Sequence, residues 1–563
     1  MAKRAHGSPP LTAGGVSDSG VVRNARVVVD APVLTPRDIV LLRVLSLVAA
    51  AAILVLGRVW VTDSLSSPVR WPTVVAVCFV LYLLANWSAG WLTLWRLKRP
   101  LPLPPPTDLR VAAVTTFVAS QESLAMLERT LHSMVGMRVP HDTWVLDEED
   151  RPSVRALCER LGVRHFSRTG TPRLCQDTGA FRPGTKYGNY NVWLDQVGYD
   201  AYDIVAMFDP DHVPEAPYLE RTLGYFAIDD VAFVQPPQVY YNQDASFVAR
   251  AAAEESYAYY SLHLMASYAI GNAVVIGCHG VHRTTALKAM GGLPAHDADD
   301  LYLTMSYRAA GWRGVFVPEV LAMGMTPVEW SAYLGQQLRW SRAVLDLKLR
   351  VLPQLARQLS PVGRAMNLLH GASYLRALLV PVAYGSLAVM LIGNHAPPFL
   401  QPRPMMALAA LLLTLALLSR FEQRYYLIPH LEGGFHWRST IMQLAKWPMF
   451  ARAVADAVLH RSDHYLVTPK GRLGPRTLGL APLQLGVAAV IAACWMIGTA
   501  RHGTLATPLT VAATLVVITS VAIAASDLAR PAAAFDAARY ARRRAAGFGA
   551  EASDALHDRP PHE

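Results

Sequence analysis

The chain has 563 residues, 52% hydrophobic and only 17% charged, and its mean hydropathy is above zero, which excludes an ordinary soluble domain as the whole description. The formal charge of +10 sits mostly beside apolar runs rather than massed with aromatics on one segment, so nucleic acid is not an expected partner. Five scattered cysteines (Cys78, Cys158, Cys175, Cys278, Cys494) lack metal-site spacing and read as reduced thiols facing a cytosol.

In chain order, residues 1–36 read as a flexible tail, with no cleavable signal peptide expected ahead of the first apolar run. Residues 39–60 and 72–95, within a unit at 37–96, are each long enough to cross a hydrocarbon core of roughly 30 Å. Residues 97–328 follow the proline-rich linker with short apolar runs alternating with helical ones, the pattern of an α/β domain with a mainly parallel sheet. Strands are predicted at 111–117, 143–146, 204–208 and 231–235, and helices at 123–135, 151–161, 188–196 and 299–310.

Residues 329–372 read as interfacial helices, amphipathic around Gln336, Arg339 and Trp340. Two spans are predicted within 373–420, at 374–392 and 405–418, the latter short enough to be a buried helix instead. Residues 421–477 form a second interfacial region, two further spans lie within 478–526, at 478–500 and 505–525, and 527–563 is a C-terminal tail. Arg96, Lys98, Arg99 and Arg110 follow the second span and Arg539, Arg542, Arg543 and Arg544 follow the last, whereas each predicted outer loop holds one arginine. That asymmetry predicts a six-span protein of the inner or plasma membrane, with the large domain and both termini cytoplasmic.

Ligands of open α/β sheets gather beyond the carboxyl ends of strands. Two such ends are acidic: residues 144–146 run into Asp147-Glu148-Glu149-Asp150, and residues 204–208 into Asp209-Pro210-Asp211-His212. Two carboxylates spaced by one residue can face Mg²⁺ or Mn²⁺ carrying a diphosphate, although Asp-Pro-Asp is also ordinary turn chemistry. Asp297, Asp299 and Asp300 open a predicted helix, where aspartate is a normal cap but where one acid held near a hydroxyl can act as general base. Trp340 offers an indole face to a sugar ring, or to the membrane interface.

Together these residues resemble the membrane-integrated family 2 glycosyltransferases, nearest the cellulose synthase catalytic subunits. The ordered set is Asp147-Glu148, the run from Lys186 to Asn191, Asp209 to His212, Ala298-Asp299-Asp300, Gln336 to Trp340, and Tyr465 to Lys470, the last similar to the family's gating loop. The resemblance spans roughly residues 40–525. It implies a GT-A domain beside a helix bundle that exports the product. Asp147, Glu148 and Lys186 would contact the nucleotide of a UDP-sugar, and Asp209 and Asp211 the diphosphate-bound Mg²⁺ or Mn²⁺. Asp300 would be the catalytic base. Gln336, Arg339 and Trp340, with Cys278 and His279, would hold the end of a growing polysaccharide, and Thr468 and Lys470 would close over the nucleotide. The partners implied are the donor, the polymer, the bilayer and accessory export subunits.

The sequence departs from the family pattern at Ala298 and Asp299, where threonine and glutamate are usual, at Glu148 and at Tyr465. The stretch after residue 525 is not expected to hold a cyclic-dinucleotide-binding barrel. Glucose is the favoured sugar by resemblance alone. Two alternatives stay open: a non-processive transferase acting on a polyprenyl phosphate or lipid, and a membrane transporter or structural protein with a transferase-like domain.

Overall fold

A computed structural model describes residues 28–65, 94–396, 400–459, 461 and 479–529. The α/β domain is organised by a mixed sheet of seven strands: β1 (Val111–Phe117), β2 (Asp142–Asp147), β3 (Arg164–Phe166), β4 (Ile204–Phe208), β5 (Val231–Gln235), β6 (His279–Arg283) and β7 (Arg313–Phe316). Their spatial order is β7-β5-β6-β4-β1-β2-β3, and every pairing is parallel except those of β6, which runs antiparallel between β5 and β4.

The continuous apolar character of β4 follows from burial on both faces. Ile204, Ala206 and Phe208 pack into one core cluster with Leu127, Leu131 and Tyr218, while Val205 and Met207 pack into another with Tyr190, Trp193 and Leu303. Side chains of alternate polarity are therefore not needed there, as is usual for a sheet covered by helices on each side.

Four helices frame the edge of this sheet where its acidic strand ends lie. α1 (Lys186–Trp193) starts at Thr185, whose hydroxyl accepts from Gly188 N at 3.1 Å, and continues as a π-helical turn over Leu194–Gly198. α2 (Asp299–Ala309) has no side-chain cap at its start. α3 (Trp330–Asp346) runs into a π-helical turn, Leu347–Val351, and packs against α4 (Trp447–Val458).

Five helices among the described residues are long and apolar enough to cross a membrane: Pro36–Thr62, Pro361–Gly393, Pro402–Tyr425, Ala481–His502 and Thr507–Leu528. Between 22% and 28% of their apolar windows is buried against protein, so most of that surface faces outward, as it can in lipid. The predicted span at 72–95 lies outside the described residues except for its last two, Leu94 and Trp95. The short run at 405–418 belongs to a 21-residue helix, Pro402–Glu422, because proline at its N-terminal end and Arg420 near its close are tolerated helix-end residues that extend the apolar centre.

Candidate active site

β1, β2 and β4 end at one edge, and the antiparallel β6 begins there. His279 pairs with Phe208, and Asp209 N donates to Cys278 O at 2.7 Å, which sets the loop before β6 directly beside the Asp209-Pro210-Asp211 turn. The edge opens into a cavity of about 610 Å³ lined by Glu148, Lys186, Asp209, Cys278, Asp299, Asp300, Gln336, Arg339 and Trp340. Eight of the predicted site residues thus share one space, together with Asp299.

Lys186, the first residue of α1, reaches across the edge. Its ammonium donates to Asp209 Oδ1 at 2.5 Å and to Gly277 O. Burial works against that charge, but Asp209 outweighs it and holds the lysine protonated. Asp211 is fully buried: its carboxylate accepts from Met325 N at 2.9 Å and lies 3.2 Å from His212 Nδ1, so it sits behind the cavity wall rather than on it. Gly324 is required in this packing, since a Cβ there would collide with the His212 ring.

Metal-ligating atoms of Asp209, Asp211 and His212 lie within 4.8 Å of one another, as do those of His212, Cys278 and His279. Burial disfavours a charged His212, but Asp211 and the Cys278 sulfur raise its pKa to about 10. Burial likewise opposes ionisation of Cys278, yet the neighbouring His279 and His212 lower it to about 6. The carboxylates of Asp209 and Asp211 are oxygen donors, and that donor chemistry fits a hard divalent cation.

Asp300 is fixed by backbone donors. Leu301 N donates to Oδ1 at 2.7 Å and Gly277 N to Oδ2 at 3.1 Å. A Cβ on Gly277 would come within 3.2 Å of that same oxygen, so glycine permits the approach. Burial raises the pKa of Asp299 to about 7, reinforced by Asp300 and offset by Lys186; Asp300 is raised as well, again chiefly by burial.

Other predicted residues are placed differently. Asp147 is fully buried and outside the cavity lining; it accepts from Glu149 N at 3.1 Å and Arg151 N at 2.7 Å, closing the turn after β2. Glu148 reaches the cavity with its carboxylate bound by Arg168 at 2.8 and 3.2 Å and by Gly184 N at 2.7 Å. His279 lies behind the wall, while Thr468 and Lys470 lie outside the described residues.

Sequence reasoning missed Arg168, which is 1% exposed and ties Glu148 to Phe181 O and Arg182 O on the loop leading to α1. It also missed Glu255 and Lys446, which pair in the cavity lining with Tyr333 OH donating to Glu255 at 2.5 Å. An isolated arginine in a loop gives no periodic signal, and the partners of Glu255 come from helices far along the chain.

Residues 112–343 match the family described as "Glycosyltransferase like family 2". The cellulose synthase catalytic subunit (UDP-forming) of Xanthomonas axonopodis pv. citri is 26% identical over 298 residues, 51% of this chain and 38% of that protein. Cellulose synthase 1 of Komagataeibacter xylinus is 25% identical over 310 residues, 53% of this chain and 19% of that protein. The chain therefore spans well under half the length of these curated relatives. A mannosyltransferase from Pyrobaculum calidifontis, solved with GDP-Man and Mn²⁺, is 16% identical with a TM-score of 0.45, over 68% of this chain and 98% of that one. With the matched segment coinciding with the sheet and helices that enclose the cavity, residues 112–343 form a glycosyltransferase domain of the family 2 type, in a membrane-associated chain related at modest identity to bacterial cellulose synthases.

Proposed function

We propose that the protein is an inverting, membrane-integrated glycosyltransferase that moves a sugar, glucose first among the candidates, from a UDP-sugar to the non-reducing end of a β-linked polysaccharide and couples growth to export. Its GT-A domain and both termini face the cytoplasm. The single observation carrying this reading is the shared cavity, which joins Lys186 and Asp209 to Asp300 and then to Gln336, Arg339 and Trp340, and continues to Tyr374 and Phe450 on the membrane side.

Asp209 and Asp211 would hold Mg²⁺ or Mn²⁺, whose charge when bound stabilises a departing diphosphate. Lys186 adds a fixed positive charge at the same edge, where negative charge develops on the leaving group. Asp300, with both oxygens oriented by backbone N–H groups, takes the proton of the acceptor hydroxyl as that oxygen attacks the anomeric carbon. One displacement inverts the centre, so no protein nucleophile is needed. Trp340 gives the acceptor ring an apolar face, and Gln336 and Arg339 supply donors around it.

The test is a donor panel with purified protein in nanodiscs, measuring UDP release with and without EDTA and digesting the product with linkage-specific glycosidases. UDP-dependent growth of a β-linked polymer, lost on chelation and restored by Mg²⁺ or Mn²⁺, is expected. A single sugar on an organic-extractable lipid would overturn the polymerase reading.

A further inference from the structure

The carboxylate proposed as base sits on α2, and the residues proposed to hold the acceptor sit on α3. Apolar packing joins the two: Ala298 and Met305 share a cluster with Ala343, Leu347 and Val351. Such contacts are non-directional. A directional contact is supplied by His296, two residues before the uncapped start of α2. Ala298 N donates to His296 Nδ1 at 2.9 Å, and His296 Nε2 lies 3.1 Å from Asp346 Oδ2 at the end of α3.

These two contacts fix the tautomer. Because Nδ1 accepts a backbone N–H, it carries no proton; Nε2 therefore carries it and donates to Asp346. Burial pushes the ring below the usual imidazole pKa and Arg350 acts the same way, against Asp297, Asp299 and Asp300. Asp346 also pairs with Arg350, and Arg342 Nη2 approaches Asp297 Oδ2 at 3.8 Å.

We infer that His296, as the neutral Nε2–H tautomer bridging Ala298 and Asp346, is a positioning residue that sets the distance between Asp300 and the acceptor held by Gln336, Arg339 and Trp340. It touches no reactant. Its lever is the backbone: the Asp300 carboxylate is oriented by Leu301 N and Gly277 N, so moving the start of α2 moves the base. Misplacement of a reacting group by about 1 Å can cost about 10²-fold in rate. This inference rests on the transferase reading above and goes beyond it by naming what aligns the two halves of the site.

The experiment compares His296→Ala, His296→Gln, Asp346→Ala and Asp346→Asn with the natural protein in nanodiscs, alongside Asp300→Asn. A glutamine side chain offers one acceptor and one donor spaced like the two ring nitrogens, and the asparagine of Asp346→Asn keeps an acceptor for Nε2–H. We expect kcat to fall about 10- to 100-fold in His296→Ala and Asp346→Ala with the UDP-sugar KM within about twofold, and to recover to within about threefold of the natural protein in His296→Gln and Asp346→Asn. If His296→Ala does not fold, the Asp346 pair decides. Unchanged kcat in both alanine variants, no recovery in the glutamine and asparagine variants, or a KM change that accounts for the loss would overturn the inference. Full transfer by Asp300→Asn would instead defeat the underlying reading, whatever the His296 variants do.

Discussion

The two walls of the cavity are built by different means. The wall proposed to take the donor rises from strand ends, and its groups are held by charge and backbone: Lys186 on Asp209, and Arg168 and Gly184 N on Glu148. The wall proposed to take the acceptor comes from helices next to the membrane segments and is largely aromatic, with Tyr259, Tyr333, Trp340, Tyr374 and Phe450 around the paired Glu255 and Lys446. A nucleotide diphosphate carries concentrated charge and needs fixed counter-charges. A sugar polymer that must slide is better served by flat rings and a neutralised ion pair. On the proposed reading, one wall holds its ligand and the other lets it go.

Asp300 stands between the walls and gives the sharpest break. Asp300→Asn removes the proton acceptor while keeping the shape, so transfer should fall by about 10²–10⁴ while UDP binding, measured by calorimetry, stays near that of the natural protein. Loss of nucleotide binding in proportion would assign Asp300 to the donor wall alone.

The donor wall should also depend on its ion pairs for stability. Arg168 is 1% exposed, and Arg168→Ala would leave the Glu148 carboxylate without its counter-charge. Breaking a buried pair from one side costs about 3–5 kcal/mol, which thermal unfolding in detergent should register as a lowered Tm. Arg168→Met together with Glu148→Leu should recover much of it. A single variant as stable as the natural protein would mean that the loop from Arg168 to Gly184 does not need this tie.

How much of this was legible in the sequence differs between the walls for the same physical reason. Strand ends announce themselves: the apolar run Ile204–Phe208 and its acidic terminus lie in adjacent positions, and both were readable. So were the starts of β1 and α2. β6 was hard to read as a strand because His279 and His282 look polar, yet both are buried, His282 against Phe233 and Tyr307. Asp147 reads as a nucleotide contact by motif, and its carboxylate also accepts from two backbone N–H groups of its own turn, a local backbone need that a motif does not reveal. Lys446 reaches Glu255 from 191 residues away, and no period or spacing encodes such a meeting.

The buried carboxylates beside the donor wall give a pH signature. Burial raises Asp299 to about 7 and raises Asp300 as well; with Asp300 as the base, transfer should fall as pH drops through its raised pKa, by up to about tenfold per unit when one base controls the rate. Stability should move the other way. A carboxyl whose folded pKa lies above its unfolded value stabilises the fold fully below the unfolded pKa, and that contribution is lost as pH rises through about 7. Asp299→Asn should therefore flatten the fall in Tm between pH 4 and 7. An unchanged slope would mean that Asp299 titrates as in water.

The smallest expected effect tests the acceptor wall. Trp340 is 36% exposed and lines the cavity, so its indole is free to meet a ring that passes. Aromatic contacts contribute about 0.5–1.5 kcal/mol beyond area, which corresponds to about 2- to 10-fold in the hold on each acceptor unit. Trp340→Ala should shorten the product at fixed donor concentration while leaving the UDP-sugar KM alone, and Trp340→Phe should fall between. Such a modest effect is itself informative, since a wall that bound each unit more tightly would stall a moving chain. If Trp340→Ala instead raises the donor KM and leaves product length unchanged, the division between a holding wall and a sliding wall fails at its central residue.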